Sequence, residues 1–217
     1  MYKLAIFDMD GTILNTLEDL KNSVNVALSK NGFPARSLEE VRNFVGNGSR
    51  KLIERSVPQG TSEEMQEKVL TSFDTDYSRH CAVFTKPYEG IPETIAALRE
   101  HGIKTAVVSN KPDYGVQALC EQYFKGLFDF SIGVREGMRK KPAPDTVFEV
   151  LKYFHTSKED AVFIGDSDVD VLTAIHAGVS CIGVSWGFRD KEVLQNAGAT
   201  KIVDTTQELL EHILNDR

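Results

Sequence analysis

Apolar residues occur in two textures along this chain. Lys3 to Phe7 is a short, nearly continuous apolar run that stops at Asp8. A run of that length, bounded by polar residues, predicts a buried strand. From Leu14 to Phe84 the apolar residues recur at helical spacing instead. Leu20, Val24, Ala27 and Leu28 make one set, Leu52, Ile53 and Val57 a second, and Met65, Val69, Leu70 and Phe73 a third. Asn31-Gly32-Phe33-Pro34, Gly46-Asn47-Gly48 and Pro58-Gln59-Gly60 separate them as turns. The stretch predicts helices and no strong strand.

Beyond Pro87 the two periods alternate. Helices are predicted over Ile91–Glu100, Gly115–Gln122, Pro144–Phe154, Val169–Ala177 and Thr206–Leu214. Strands are predicted over Thr105–Val108, Phe130–Ile132, Ala161–Ile164, Ser180–Val184 and Lys201–Val203. Gly102 and Gly178 stop two of the helices, and Pro142 and Pro144 fix the entrance of another. Strands alternating with helices imply a parallel sheet covered by helices on both faces. The first strand belongs to that sheet. The fold class is therefore α/β, a Rossmann-like core of residues 1–13 and 85–217, with a small helical domain, 14–84, inserted after the first strand.

Composition narrows the setting. The chain has 217 residues, 41% of them hydrophobic and 26% charged, as in soluble globular proteins. Its formal charge is −7, which disfavours a nucleic-acid backbone as partner while leaving room for a local anion site. No apolar run approaches the roughly 20 residues that span a bilayer, so no membrane partner is expected. Met1-Tyr2-Lys3 leads into an apolar run too short for a signal peptide. Cys81, Cys120 and Cys181 are widely spaced and suit a reducing compartment as core thiols. The reading is a soluble cytoplasmic protein, a monomer or weak homodimer.

Ligands of open α/β sheets bind beyond the carboxyl ends of the strands. Asp8, Asp10, Gly11 and Thr12 follow the first strand. Ser109, Asn110 and Lys111 follow Thr105–Val108, and Gly165, Asp166, Ser167, Asp168 and Asp170 close the run Ala161–Ile164. Lys141 precedes the proline-bounded helix. One aspartate after a strand is ordinarily a turn or helix cap. Asp8, Asp10, Asp166 and Asp170 together would carry −4, which Lys141 reduces to −3 and a divalent cation to −1. Oxygen ligands select a hard ion, and Mg²⁺ commonly joins carboxylates to a substrate phosphate. Ser109 and Asn110 suit phosphate oxygens, or else cap the following helix. Lys141 could neutralise charge on a transferring group, and a carboxylate can itself attack phosphorus. The five histidines form no ligand spacing.

These residues resemble the haloacid dehalogenase superfamily, in its phosphatase branch. The resemblance rests on Asp8-Met9-Asp10-Gly11-Thr12, on Ser109 after a strand, on Lys141 before a proline-bounded helix, and on Gly165-Asp166-Ser167-Asp168-Val169-Asp170, in that order over almost the whole chain. It implies that Asp8 is the nucleophile and Asp10 the general acid and then base. It implies Mg²⁺ held by Asp8, the Asp10 carbonyl and Asp166, with Asp170 supporting, and a phosphate held by Thr12, Ser109, Asn110 and Lys141. The inserted helices correspond to the family's small α-helical cap. Asp10 favours phosphate-ester hydrolysis over dehalogenation. Asp168 is expected to cap its helix. Val45 to Leu52 and Pro87 to Ile91 look like the matching segments of phosphoglycolate phosphatases, which makes Gly48, Ser49 and Arg50 candidate substrate contacts. Asn15 stands where many relatives have Asp. A β-phosphoglucomutase-like phosphosugar mutase is the alternative enzyme. A signalling receiver domain also pairs strand-end acids with a lysine, but is much shorter and lacks the helical insertion.

Overall fold

The computed structural model describes residues 2–215. In chain order, β1 is Leu4–Phe7 and β2 Leu14–Asn15. Four helices follow: α1 (Leu17–Lys30), α2 (Leu38–Phe44), α3 (Ser49–Ser56) and α4 (Glu63–His80). Then come β3 (Lys86–Pro87), α5 (Ile91–Glu100), β4 (Lys104–Pro112), α6 (Asp113–Tyr123), β5 (Phe130–Val134) and α7 (Asp145–Phe154). The chain ends with β6 (Ala161–Gly165), α8 (Asp168–Ala177), β7 (Ser180–Val184), α9 (Lys191–Asn196), β8 (Ile202–Val203) and α10 (Thr206–Asn215). It divides into two compact units, Met1–Leu14 with Pro87–Arg217, and Asn15–Lys86. No helix among the described residues is long and apolar enough to cross a membrane.

The larger unit is an α/β, Rossmann-like fold. Its six strands are ordered β5-β4-β1-β6-β7-β8 and pair in parallel. All four residues of β1 and all five of β6 are buried, as expected of central strands sealed on both faces. Leu4, Ile6, Ala106, Val108, Ile132, Ala161 and Phe163 point to one face, where Val147, Val150 and Leu151 of α7 and Ala174 and Ala177 of α8 close over them. Phe7, pleated the other way, meets the edge of Phe128, which in turn meets Phe124. The strand order reverses at β1, since β4 lies on one side of it and β6 on the other. A reversal of this kind opens a crevice at the strand ends.

Three differences from the sequence pattern bear on the site. First, β4 does not stop at Val108 but runs to Pro112, through a shift of register against β5 between those residues. A bulge of this sort re-aims side chains, and Ser109, Asn110 and Lys111 continue the buried run that begins at Thr105. Consequently Pro112, not Ser109 or Asn110, stands at the start of α6, and the helix-cap reading of that pair is corrected. Second, Asp168 is the first residue of α8, not its cap. Ser167 is the cap: its hydroxyl accepts the Asp170 N–H, and the Asp170 carboxylate accepts the Ser167 N–H. Third, the helical segment is bracketed by the two-residue strands β2 and β3, which pair with each other.

In the smaller unit the expected apolar faces are formed. Leu20, Val24, Ala27 and Leu28 of α1, Leu52 and Ile53 of α3, and Val69 and Phe73 of α4 are buried, while Met65 and Leu70 are half-buried. The buried carboxylate of Asp19 on α1 accepts the N–H groups of Val83, Phe84 and Thr85 and the Thr85 hydroxyl. The start of this unit is thereby tied to its end.

Candidate active site

The site is built outward from the end of β1. Asp8 continues the ladder by donating its N–H to the Ile164 carbonyl at 2.8 Å, so its position is fixed by two neighbouring strands. The chain then turns: the N–H groups of Thr12, Ile13 and Leu14 all donate to the Met9 carbonyl. Gly11 sits in this turn at φ 86°, and a Cβ there would lie 2.3 Å from Asp166 Oδ2. Glycine thus supplies both the left-handed backbone and the room for Asp166.

Ligand atoms of Asp8, Asp166 and Asp170 lie within 4.8 Å of one another, and all three side chains are buried. Two ammonium groups face the acids. Lys141 Nζ is 2.8 Å from Asp8 Oδ1 and 2.7 Å from Asp170 Oδ1. Lys111 Nζ is 3.1 Å from Asp10 Oδ1. Lys111 is the participant that sequence reasoning left without a role, because an isolated lysine after Ser-Asn carries no local signal. With it, four carboxylates against two ammoniums leave a formal −2, which one divalent cation cancels.

The charge balance shows in the protonation of the acids. Burial, then Asp170, raises the Asp8 carboxyl well above the usual carboxylate range, despite the nearby Lys141. Burial and Asp170 push Asp166 up to about 7, against the pull of the Phe188 N–H, Thr12 and Lys141. For Lys141, burial alone would lower the ammonium's pKa, but Asp170 and Asp8 outweigh it and hold the charge. Carboxylates this short of positive charge, presented as a buried set of hard oxygens, fit a divalent cation.

Several expected phosphate ligands are occupied otherwise. The Thr12 hydroxyl donates to Asp166 Oδ1 at 3.0 Å, deep in the core, and so orients a carboxylate. The Asn110 amide is spent on the main chain of Lys141, donating to its carbonyl at 3.0 Å and accepting its N–H at 2.8 Å. Ser109 remains buried at the strand end, its Oγ accepting the Lys111 N–H. Asp170 uses both oxygens internally, one toward Lys141 and one toward the Ser167 N–H and hydroxyl. Gly48, Ser49 and Arg50 belong to the other unit. Gly48 precedes α3 with φ 83°, and Arg50 forms an ion pair with Glu67.

The loop after β7 completes the support of Asp166. The Phe188 N–H donates to Asp166 Oδ2 at 2.7 Å, and the Trp186 indole N–H donates to the Thr12 carbonyl at 3.0 Å. A Cβ on Gly187 between them would fall 2.2 Å from Asp166 Cβ. Trp186 and Phe188 therefore tether the loop to the turn after β1 and to Asp166.

Residues 5–184 match the family model of the haloacid dehalogenase-like hydrolases. The chain belongs to that family. Phosphoglycolate phosphatase 1 of Pseudomonas aeruginosa is 33% identical over 214 residues, covering 96% of this chain and 78% of the relative. The phosphoglycolate phosphatase of Vibrio parahaemolyticus is 31% identical over 218 residues, covering 96% and 95%. A crystal structure from Lactobacillus delbrueckii subsp. bulgaricus, assigned as a phosphoglycolate phosphatase, superposes with a TM-score of 0.95 at 38% identity, covering 99% of each chain. Within the family the chain is a phosphoric monoester hydrolase that resembles the phosphoglycolate phosphatases.

Proposed function

We propose that this phosphatase hydrolyses 2-phosphoglycolate with Mg²⁺, through an aspartyl-phosphate on Asp8. The observation that carries the reading is the placement of Asp8. It stands at the reversal point of the sheet, 2.8 Å from the Lys141 ammonium and clustered with Asp166 and Asp170. The substrate is inferred from the relatives at 31–33% identity, which bear that activity as their name.

In this mechanism a carboxylate oxygen of Asp8 attacks phosphorus while the bond from phosphorus to the substrate's ester oxygen breaks. Asp10, protonated, gives its proton to the departing oxygen. Water then attacks the phosphorus of the acyl phosphate and loses its proton to Asp10. The bond to the Asp8 oxygen breaks, releasing inorganic phosphate and restoring the carboxylate. Lys141 holds Asp8 in place and offsets the negative charge that gathers on the transferring group. Asp8, Asp166 and the Asp10 carbonyl would hold the metal, with Asp170 anchoring Lys141 behind them. The ion would neutralise phosphate charge and let an anionic nucleophile approach it.

Phosphate release from a panel of metabolite phosphates, with and without Mg²⁺, tests the reading. The expected result is highest kcat/KM on 2-phosphoglycolate, lost in chelator. A label from ³²P substrate that maps to a residue other than Asp8 overturns the nucleophile. Conversion of β-glucose 1-phosphate to glucose 6-phosphate, in preference to hydrolysis, would establish the mutase instead.

A further inference from the structure

We infer that Lys111 is a positioning residue for the acid–base step. It grips one oxygen of Asp10 so that the other is presented in a fixed direction to the leaving group. The inference rests on the assignment of Asp10 as general acid. Four observations on the strand end carry it.

The Lys111 side chain is only 4% exposed, and its ammonium stands 3.1 Å from Asp10 Oδ1. A lysine is rarely taken so far from water unless its charge meets an opposite one. Lys111 closes the buried run Thr105–Lys111 of β4, within the stretch where the register against β5 shifts. Its main chain is pressed against β5 at a point where only glycine fits: a Cβ on Gly133 would lie 2.5 Å from the Lys111 carbonyl oxygen. Its stem runs over Gly115, where a Cβ would approach to 3.2 Å of Lys111 Cδ. Both ends of the side chain are therefore located, the backbone by the bulge and its neighbour, the ammonium by Asp10. On the acid's side, Asp10 is itself set in the turn that begins at Met9, with its main chain bridged to Leu14.

A carboxylate can rotate about its terminal torsion. An ammonium ion-paired with one oxygen restricts that freedom and favours the second oxygen as the site that gives and takes the proton. Positioning of this kind matters in proportion to how much the leaving oxygen needs a proton. A nitrophenolate departs without one, whereas an alkoxide does not. The role of Lys111 is therefore readable in the dependence of rate on leaving group.

The test compares kcat/KM for 2-phosphoglycolate, ethyl phosphate and 4-nitrophenyl phosphate in wild type, Lys111→Met, Lys111→Arg, Asp10→Asn and the double variant Asp10→Asn/Lys111→Met. For Lys111→Met the ratio of alkyl to nitrophenyl activity should fall by at least about tenfold, within the ~10²–10⁴-fold span of acid–base assistance. The fall should be the same for both alkyl phosphates. Lys111→Arg, which keeps the charge, should recover part of the ratio. In the double variant the ratio should match that of Asp10→Asn alone, since Lys111 acts through Asp10. A parallel fall on all three substrates overturns the inference and reduces Lys111 to a structural residue. A fall confined to 2-phosphoglycolate overturns it as well, by making Lys111 a contact for the substrate's carboxylate. Asp10→Asn with no leaving-group dependence would instead overturn the acid assignment itself, whatever Lys111 does.

Discussion

The side-chain amide of Asn110 clasps the main chain of Lys141, donating to its carbonyl at 3.0 Å and accepting its N–H at 2.8 Å. The two residues are 31 apart in sequence, and the clasp ties the bulged end of β4 to the residue whose ammonium joins Asp8 to Asp170. Asn110→Ala removes both bonds and leaves buried main-chain groups of Lys141 without them, at a cost of about 1–3 kcal/mol. At roughly 2–4 °C per kcal/mol for a chain of this size, the melting temperature should drop by several degrees. Because Lys141 is then less firmly placed, kcat should fall more than KM changes. A variant with wild-type melting and wild-type kcat would show that the clasp does not position Lys141.

How far the sequence reached follows from where each signal is stored. The strands of the sheet are legible because β1 and β6 are apolar on both faces and bounded by polar residues, so the run itself is the signal. The acids at the ends of β1 and β6 are brought together because parallel strands present their carboxyl ends on one edge. What was not legible depends on partners remote in sequence. Nothing near Thr12 in sequence signals that Asp166, 154 residues away, accepts its hydroxyl. Nothing near Asn110 signals its clasp on Lys141. The bulge in β4 shows only in its pairing with β5, and the ion pair of Lys111 only in its approach to Asp10. Ser167 is the exception. Its capping box with Asp170 has the local spacing of Ser-x-x-Asp, a signal that lies inside the acidic motif itself.

The protonation of Asp166 makes the metal-free protein respond to pH in a defined sense. Burial, then Asp170, raises this carboxyl to about 7, above the ~3.9 of an unfolded aspartate. The folded state therefore keeps a proton that the unfolded chain gives up. Its contribution to stability is fully present below about pH 4 and is lost as pH rises through about 7. A divalent cation binds the ionised form, so its affinity should rise over the same range. In chelator the melting temperature should decline between pH 5.5 and 8. Added Mg²⁺ should raise it more at pH 8 than at pH 5.5, and Asp166→Asn should flatten both trends. A Mg²⁺ shift of equal size at both pH values would contradict this account of the site.

Gly187 gives a second approach to the same carboxylate. Its missing Cβ leaves the space that Asp166 occupies, and any Cβ there would fall 2.2 Å from Asp166 Cβ. The loop cannot retreat freely, because the Phe188 N–H holds Asp166 Oδ2 and the Trp186 indole holds the Thr12 carbonyl. Gly187→Ala should therefore displace Asp166 while altering no charge. Loss of such outer support typically costs about 10–100-fold in metal affinity. Titration calorimetry with Mg²⁺ should show a weakening of that order, and raising Mg²⁺ should recover much of the lost turnover. Unaltered affinity would mean that the loop accommodates the methyl group and does not position the ligand.

Substrate choice by Gly48, Ser49 and Arg50 can be tested through the ion pair between Arg50 and Glu67. Both side chains are well exposed, at 64% and 47%, so the pair contributes about 0–1 kcal/mol and its loss should barely change the melting temperature. That makes the functional readout clean. If Arg50 serves the carboxylate of 2-phosphoglycolate, Glu67 competes with the substrate for it. Arg50→Ala should then raise KM for 2-phosphoglycolate while sparing 4-nitrophenyl phosphate, which has no carboxylate. Glu67→Gln, which frees the guanidinium, should lower KM for 2-phosphoglycolate and again leave the aryl phosphate alone. Opposite movements in the two variants are hard to obtain from a general disturbance of α3 or α4, since each variant removes the same ion pair. If both variants move KM in the same direction, or neither moves it, Arg50 is a solvated helix residue.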